Sequence, residues 1–309
     1  MDSFGCGIFG ATFIIFYSNR KLRKKSFLTY LVLNSFFVVA IIFLINVIIS
    51  FVISSYRFEG GIFNHESIIA SLRFLFSLQM FKSLAIWFFV VLGTTFILRV
   101  SEKYGPGVLK EILLGKYHKL IEEERIFMFL DIKSSTVLAE NLGHNKYFEL
   151  LSEFYSDITD AIVYNLGEIY QYVGDEVVVS WKIRNGLKNN NCLRCFFEAR
   201  KEIEKLSAKY VKNYLILPEF KAGIHVGVAT VGEIGVLKKE IAFSGDVLNT
   251  TSRIQSECNK YQSDLLISEE LLNKLEIGDG FNVRKIGEIE LRGKQAKTRL
   301  FSIQENQNT

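Results

Sequence analysis

Two acids stand out by where they fall. Asp131 sits near the end of the run Ile126-Phe127-Met128-Phe129-Leu130-Asp131-Ile132. A carboxylate closing so apolar a segment is costly to bury without a partner. Asp175 follows Gly174 between two β-rich runs. An acid at a strand end and an acid at a hairpin tip can meet on neighbouring strands. Two hard oxygen donors with no His or Cys nearby suit Mg²⁺ or Mn²⁺ rather than zinc. A pair of such ions can activate a hydroxyl and clamp a phosphoryl group for in-line attack. Directly after Asp131, Ile132-Lys133-Ser134-Ser135-Thr136 opens a helix, and amides at a helix start can hold phosphate oxygens. A third element, Gly245-Asp246-Val247-Leu248-Asn249-Thr250-Thr251-Ser252-Arg253, places Asn249 and Arg253 on one helix face. An Arg there suits a developing phosphoryl charge. Taken singly, each has a plain reading: a helix-start acid, a turn residue, a surface amide and a surface ion pair.

The elements that must carry these residues follow from pattern. Residues 125–132 read as a buried strand. Residues 134–166 have helical periodicity, broken near Gly143. Glu168–Val173 and Glu176–Lys182 flank Gly174-Asp175 as a hairpin. Residues 191–213 form an amphipathic helix, 220–228 a strand, 246–258 a helix, 265–267 a strand and 268–275 a helix. Residues 281–291 and 298–303 close the unit as strands. This mixed order indicates an α+β fold, with helices packed on a mainly antiparallel sheet. Cys192 and Cys195 lie inside a helical pattern with no second metal-spaced pair, so they read as packing residues and not as a zinc or redox site.

The first hundred residues differ in kind. They are rich in Phe, Ile, Leu and Val and poor in acids. The stretch Phe27–Ile53 is uncharged and long enough to span a bilayer, and Phe81–Val100 is long enough with Lys82 and Arg99 snorkelling at its ends. Phe4–Tyr17 is short for a third span. The basic cluster Arg20–Lys25 belongs on the cytoplasmic side, which makes three spans from an external N-terminus and leaves the C-terminal half in the cytosol. Residues 62–80 read as an interfacial helix. A formal net charge of +4 with no basic arm gives no reason to expect a nucleic-acid partner. The organisation expected is a transmembrane region over 1–100, a transducing linker over 101–124, a catalytic domain over 125–303 and a tail over 304–309.

The run Phe129-Leu130-Asp131-Ile132, then Gly174-Asp175, then Gly245-Asp246 with Asn249 and Arg253, resembles the class III adenylate and guanylate cyclase domain. Leu291-Arg292-Gly293-Lys294 resembles that family's late basic motif. The resemblance covers most of residues 122–303, and membrane spans ahead of it fit bacterial members. It implies that Asp131, Asp175 and the Ile132 main chain hold two Mg²⁺ or Mn²⁺ ions per site. It implies that Asn249 orients the ribose, Arg253 stabilises the transition state and Lys294 binds the terminal phosphates. It further implies a homodimer in which these two sets face each other, with ATP or GTP as substrate.

Base choice rests on Gln171 and Ala242, where the family's adenylate cyclases often carry Lys and then Asp or Thr. A Gln amide can serve adenine or, turned over, guanine. The reading leans to ATP and leaves GTP open. Two rivals are weaker. A diguanylate cyclase-like hairpin would need Gly where Val173 stands, and a non-catalytic receptor module would be expected to lack an Asp or the Arg.

Overall fold

The computed structural model describes residues 27–57, 65–104, 119–237, 239–290 and 297–306. The chain divides into two compact units, Met1–Leu109 and Lys110–Thr309.

The first unit contains α1 (Phe27–Arg57), α2 (His65–Leu75) and α3 (Leu78–Tyr104). Neither Gly nor Pro interrupts α1. Among the described residues two helical stretches, Phe27–Tyr56 and Leu78–Leu98, are long and apolar enough to cross a membrane. The expected span Phe4–Tyr17 and the basic cluster Arg20–Lys25 lie outside the described residues. Segment 62–80, expected as one interfacial element, breaks at Phe76-Ser77 before α3 begins. Its helix α2 turns a small polar face to α1: Ser67 Oγ donates to the Ser54 carbonyl at 3.2 Å, and Ser71 Oγ lies 3.0 Å from Ser54 Oγ. The α2 side chains Ile69, Leu72 and Phe74 are left exposed. Between α1 and α3, Asn34 Nδ2 donates to Thr95 Oγ1 at 3.2 Å, and Phe36 meets Phe88 with ring centroids 5.4 Å apart. Small polar contacts of this kind join helices where apolar burial gives no net drive.

Among the described residues the second unit is built on an eight-stranded sheet. Its elements are β1 (Ile121–Ile132), α4 (Ser135–Leu142), α5 (His144–Tyr164), β2 (Glu168–Val173), β3 (Glu176–Lys182), α6 (Ile183–Leu187), α7 (Asn191–Lys205), α8 (Ser207–Tyr214), β4 (Phe220–Ile234), β5 (Glu240–Ser244), α9 (Asp246–Ser256), β6 (Leu265–Ser268), α10 (Glu269–Leu272), β7 (Phe281–Glu290) and β8 (Lys297–Glu305). The order is β2-β3-β1-β4-β6-β8-β7, with β5 paired to the far half of β4. Among the described residues only the β4–β6 pairing is parallel.

Strand β1 is central and apolar on both faces, as a strand covered on both sides must be. Its even positions Ile126, Met128, Leu130 and Ile132 join the main core with α5 and α7, including Phe154, Phe196 and Ile158. Its odd positions Phe127 and Phe129 join a smaller core with Val247 of α9 and Phe243 of β5. Asp131 is an odd position, so it emerges on the α9 side. Cys192 and Cys195 are buried, unbridged packing residues of α7, as expected.

Several boundaries differ from the sequence reading. The amphipathic segment 191–213 is two helices, broken at Leu206. Strand β4 runs on to Ile234 and turns back through β5, a short strand that the sequence pattern did not announce.

Candidate active site

Asp131 is placed by register. On one side it pairs with Glu176 of β3, and on the other with Lys221 of β4. Paired residues on adjacent strands present their side chains on the same face. A row Glu176, Asp131, Lys221 therefore crosses the end of three strands. Asp175 enters from the β2–β3 turn, where Gly174 takes φ 63°. That left-handed conformation suits glycine, which has no Cβ to clash. The turn is tied down twice: the Ile132 amide donates to the Asp175 carbonyl at 3.4 Å, and Tyr155 Oη donates to the Gly174 carbonyl at 2.9 Å. The Tyr155 ring lies 4.5 Å from that of Tyr172, centroid to centroid.

The electrostatics follow from this crowding. Burial, then the hydrogen bond and charge of neighbouring Asp175, push the Asp131 carboxyl up to about 6, while Lys221 and Gln255 pull it back. Burial, then the charges of Asp131 and Asp175, push Glu176 up to about 7. Tyr155 and Tyr147 are both raised by burial and then by the charge of Asp175. Carboxylates gathered this way favour either a proton or a cation among them. Among the described residues no group of three or more His, Cys, Asp and Glu forms a metal cage. The donor set is two carboxylates and main-chain oxygen. It fits Mg²⁺ or Mn²⁺, which bind through one or two carboxylates and complete their shell with water and phosphate.

Behind Asp131 the chain turns into α4 through Ser134, which takes a left-handed φ of 54°. The Lys133 amide is used, donating to the Glu219 carbonyl at 2.9 Å. The next bond of the turn is from the Leu138 amide to the Ser134 carbonyl at 3.0 Å, so the amides between belong to a helix start. Ser134 and Thr136 are exposed and Ser135 is half-buried, with its hydroxyl bonded to Tyr147.

Helix α9 lies on β4 over glycine. A Cβ at Gly223 would press into the Gln255 main-chain nitrogen and stand 2.9 Å from the Thr251 carbonyl. The buried face of α9 includes Val247, Thr251 and Gln255. Asn249 is exposed and Arg253 half-buried. The Arg253 guanidinium has no hydrogen-bond or ion-pair partner among the described residues. Asn249 and Arg253 are thus not brought to Asp131 and Asp175 of the same chain by any contact, although α9 itself reaches Asp131 through Gln255, whose Nε2 donates to Asp131 Oδ2 at 2.8 Å. Lys294 lies outside the described residues.

Gln171 on β2 is exposed, and Ala242 on β5 is half-buried. Each is next to a residue of one contact: the Phe243 amide donates to Tyr170 Oη at 3.2 Å, and the two rings meet edge to face at 5.0 Å.

Sequence reasoning missed Lys221, Gln255, Glu176 and Tyr155. Lys221 had a signal, a lone charge in the apolar strand Phe220–Val228. Glu176 had one too, since it follows Asp175 directly, whereas Gln255 and Tyr155 are joined to the site by tertiary contact alone.

The chain belongs to the family described as the adenylate and guanylate cyclase catalytic domain, which matches residues 121–305. Among its relatives, "Adenylate cyclase 2" of Rhizobium meliloti (strain 1021) is 34% identical over 208 residues, covering 67% of this chain and 57% of that protein. An adenylate cyclase of Anabaena cylindrica is 24% identical over 57% of this chain and 36% of its own length. The chain thus spans little more than half of the first relative and about a third of the second. In fold it is similar to a bacterial light-regulated adenylyl cyclase, with a TM-score of 0.60 at 21% identity over 74% of this chain and 65% of that one. It is similar also to the adenylyl cyclase CyaB from P. aeruginosa, with a TM-score of 0.54 at 21% identity over 62% of this chain and 98% of that one.

Proposed function

We propose that this chain is a membrane-anchored nucleotidyl cyclase that converts ATP to cyclic AMP and pyrophosphate as a homodimer. The observation that carries the reading is the pairing of Asp131 with Asp175 in a chain of this family. Asp131, Asp175 and the Ile132 main-chain oxygen would hold two Mg²⁺ or Mn²⁺ ions. Such ions, when bound, make a nucleotide hydroxyl more nucleophilic and offset phosphate charge.

The chain's own residues then bind and orient. Amides from Ser134 to Thr136 receive phosphate oxygens at the start of α4. The partner subunit's Asn249 orients the ribose, the partner subunit's Arg253 meets the charge developing at the α-phosphate, and the partner subunit's Lys294 takes the terminal phosphates. The 3′ oxygen bonds to the α-phosphorus, the bond to the pyrophosphate oxygen breaks, and the hydroxyl proton passes to water. Support for a shared site comes from α9, whose Asn249 and Arg253 lie off the face that it buries on its own sheet.

The Gln171 amide and the apolar Ala242 would face the base. Gln171 can serve adenine or guanine, and the name of the 34% identical relative favours ATP. The membrane arrangement is part of the proposal: α1 and α3 cross the bilayer, and the basic charges of Arg20–Lys25 keep the catalytic unit cytoplasmic. Residues 101–124 would link the transmembrane region of 1–100 to a catalytic unit over 125–303.

The test is a product assay on the full chain in nanodiscs, with Mn²⁺ and with ATP and GTP in parallel. Cyclic AMP should dominate. Asp131→Ala and Asp175→Ala should each reduce product to background. Gln171→Glu should shift the ratio toward cyclic GMP. A folded wild-type chain inert with both nucleotides and both metals would instead mark a receptor module on a cyclase fold.

A further inference from the structure

Two side chains with no role so far meet the same oxygen of Asp131. The Lys221 ammonium lies 3.4 Å from Asp131 Oδ2, and Gln255 Nε2 donates to that oxygen at 2.8 Å. Both side chains are nearly shut off from solvent, with Lys221 8% and Gln255 6% exposed. They arrive from different elements. Lys221 is the cross-strand neighbour of Asp131 on β4, and Gln255 hangs from α9, which Gly223 admits close to the sheet.

A buried ammonium beside a cation site is adverse on charge alone, since like charges a few ångströms apart repel strongly in a poorly solvated setting. Its placement makes sense as geometry. With Oδ2 held by the Gln255 hydrogen bond and the Lys221 ion pair, rotation of the carboxylate is restrained and Oδ1 is the oxygen left for a metal ion. We infer that Lys221 and Gln255 are positioning residues, which lock the Asp131 carboxylate in the orientation that captures a divalent cation with Asp175. The inference rests on the metal-dependent reading above. Partners that orient a metal ligand typically matter about 10–100-fold in metal affinity.

The experiment is an Mn²⁺ titration of the full chain in nanodiscs, followed by electron paramagnetic resonance of free Mn²⁺ and without nucleotide. Lys221→Met and Gln255→Leu should each weaken Mn²⁺ binding about tenfold or more. Lys221→Arg, which keeps a charged donor, should recover most of the loss. In turnover the same variants should raise the Mn²⁺ concentration needed for half-activity. Thermal unfolding of each variant separates this from collapse of the fold, and if Lys221→Met does not fold, Gln255→Leu decides. Tighter Mn²⁺ binding by Lys221→Met would mean that the ammonium only repels the ion, and would overturn the inference. Unchanged binding in Gln255→Leu would do the same. A wild-type chain that binds no Mn²⁺ either alone or with a non-hydrolysable ATP analogue would sink the metal-dependent reading itself, a result distinct from these.

Discussion

Asp131 pays for its position when no cation is present. Its carboxyl stands at about 6 in the folded chain against an ordinary 3.8, because burial and Asp175 disfavour the charge. Between these values the folded state holds a proton that the unfolded state has released, so stability falls as pH rises through about 4 to 6 and stays low above. Glu176, raised to about 7, adds a fall of the same sign. Asp131→Asn removes the charge and keeps an oxygen that can accept from Lys221 and Gln255. In EDTA-treated full chain, Asp131→Asn should therefore unfold at a higher temperature than wild type at pH 7.5, by up to about 2–3 kcal/mol of stability. The gap should close toward pH 4. Added Mn²⁺ should reverse the order, because only the wild type gains from a ligand that binds the native state. Melting curves at pH 4.5, 6 and 7.5, with and without Mn²⁺, check this. An Asn variant less stable than wild type at pH 7.5 without metal would mean that Asp131 is net stabilising and the burial argument is wrong.

The elements bring the site together by close approach as much as by register. Gly223 is the tightest such point: a Cβ would lie 2.8 Å from the Gln255 Cα and 2.9 Å from the Thr251 carbonyl, both parts of the α9 backbone. At Gly227 the nearest atom would be the Val247 Cβ at 3.1 Å, a milder conflict. Overpacking typically costs about 1–3 kcal/mol, and Gly223→Ala should fall at the upper end while Gly227→Ala costs less. Chemical unfolding of the two variants measures the difference, and equal midpoints would show that α9 is not pinned there. This also marks the boundary of what the sequence reveals. Asp131, Asp175 and the hairpin Glu168–Lys182 were readable because turn chemistry and strand alternation are local. Strand β5 was not, because the pattern of residues 240–244 becomes a strand only by pairing with the far half of β4. Gln255 was not, because on α9 it looks like one polar residue among several, and only the packing on Gly223 aims it at Asp131. The split at Leu206 was hidden by an amphipathic period that continues on both sides of the break.

At the scale of the whole molecule, the proposed reaction makes a chain insufficient alone. No contact joins Arg253 to the Asp131 and Asp175 pair within one chain, and its guanidinium has no partner among the described residues. If each site takes its acids from one protomer and Arg253 from the other, two-fold symmetry gives two equivalent sites. An Asp131→Ala chain and an Arg253→Ala chain are then each inactive as homodimers. In their heterodimer one site collects both defects and the other collects none. Random pairing puts half the chains in heterodimers, and each heterodimer has one intact site of two, so the mixture should recover about a quarter of wild-type activity. Co-expression with two affinity tags, tandem purification and a product assay would isolate the heterodimer, where recovery should approach about half. A site complete within one protomer predicts no recovery at all, since neither chain then carries all the groups. The experiment separates the two arrangements without any structure of the complex, because complementation requires that the acids and the arginine act across the boundary between chains.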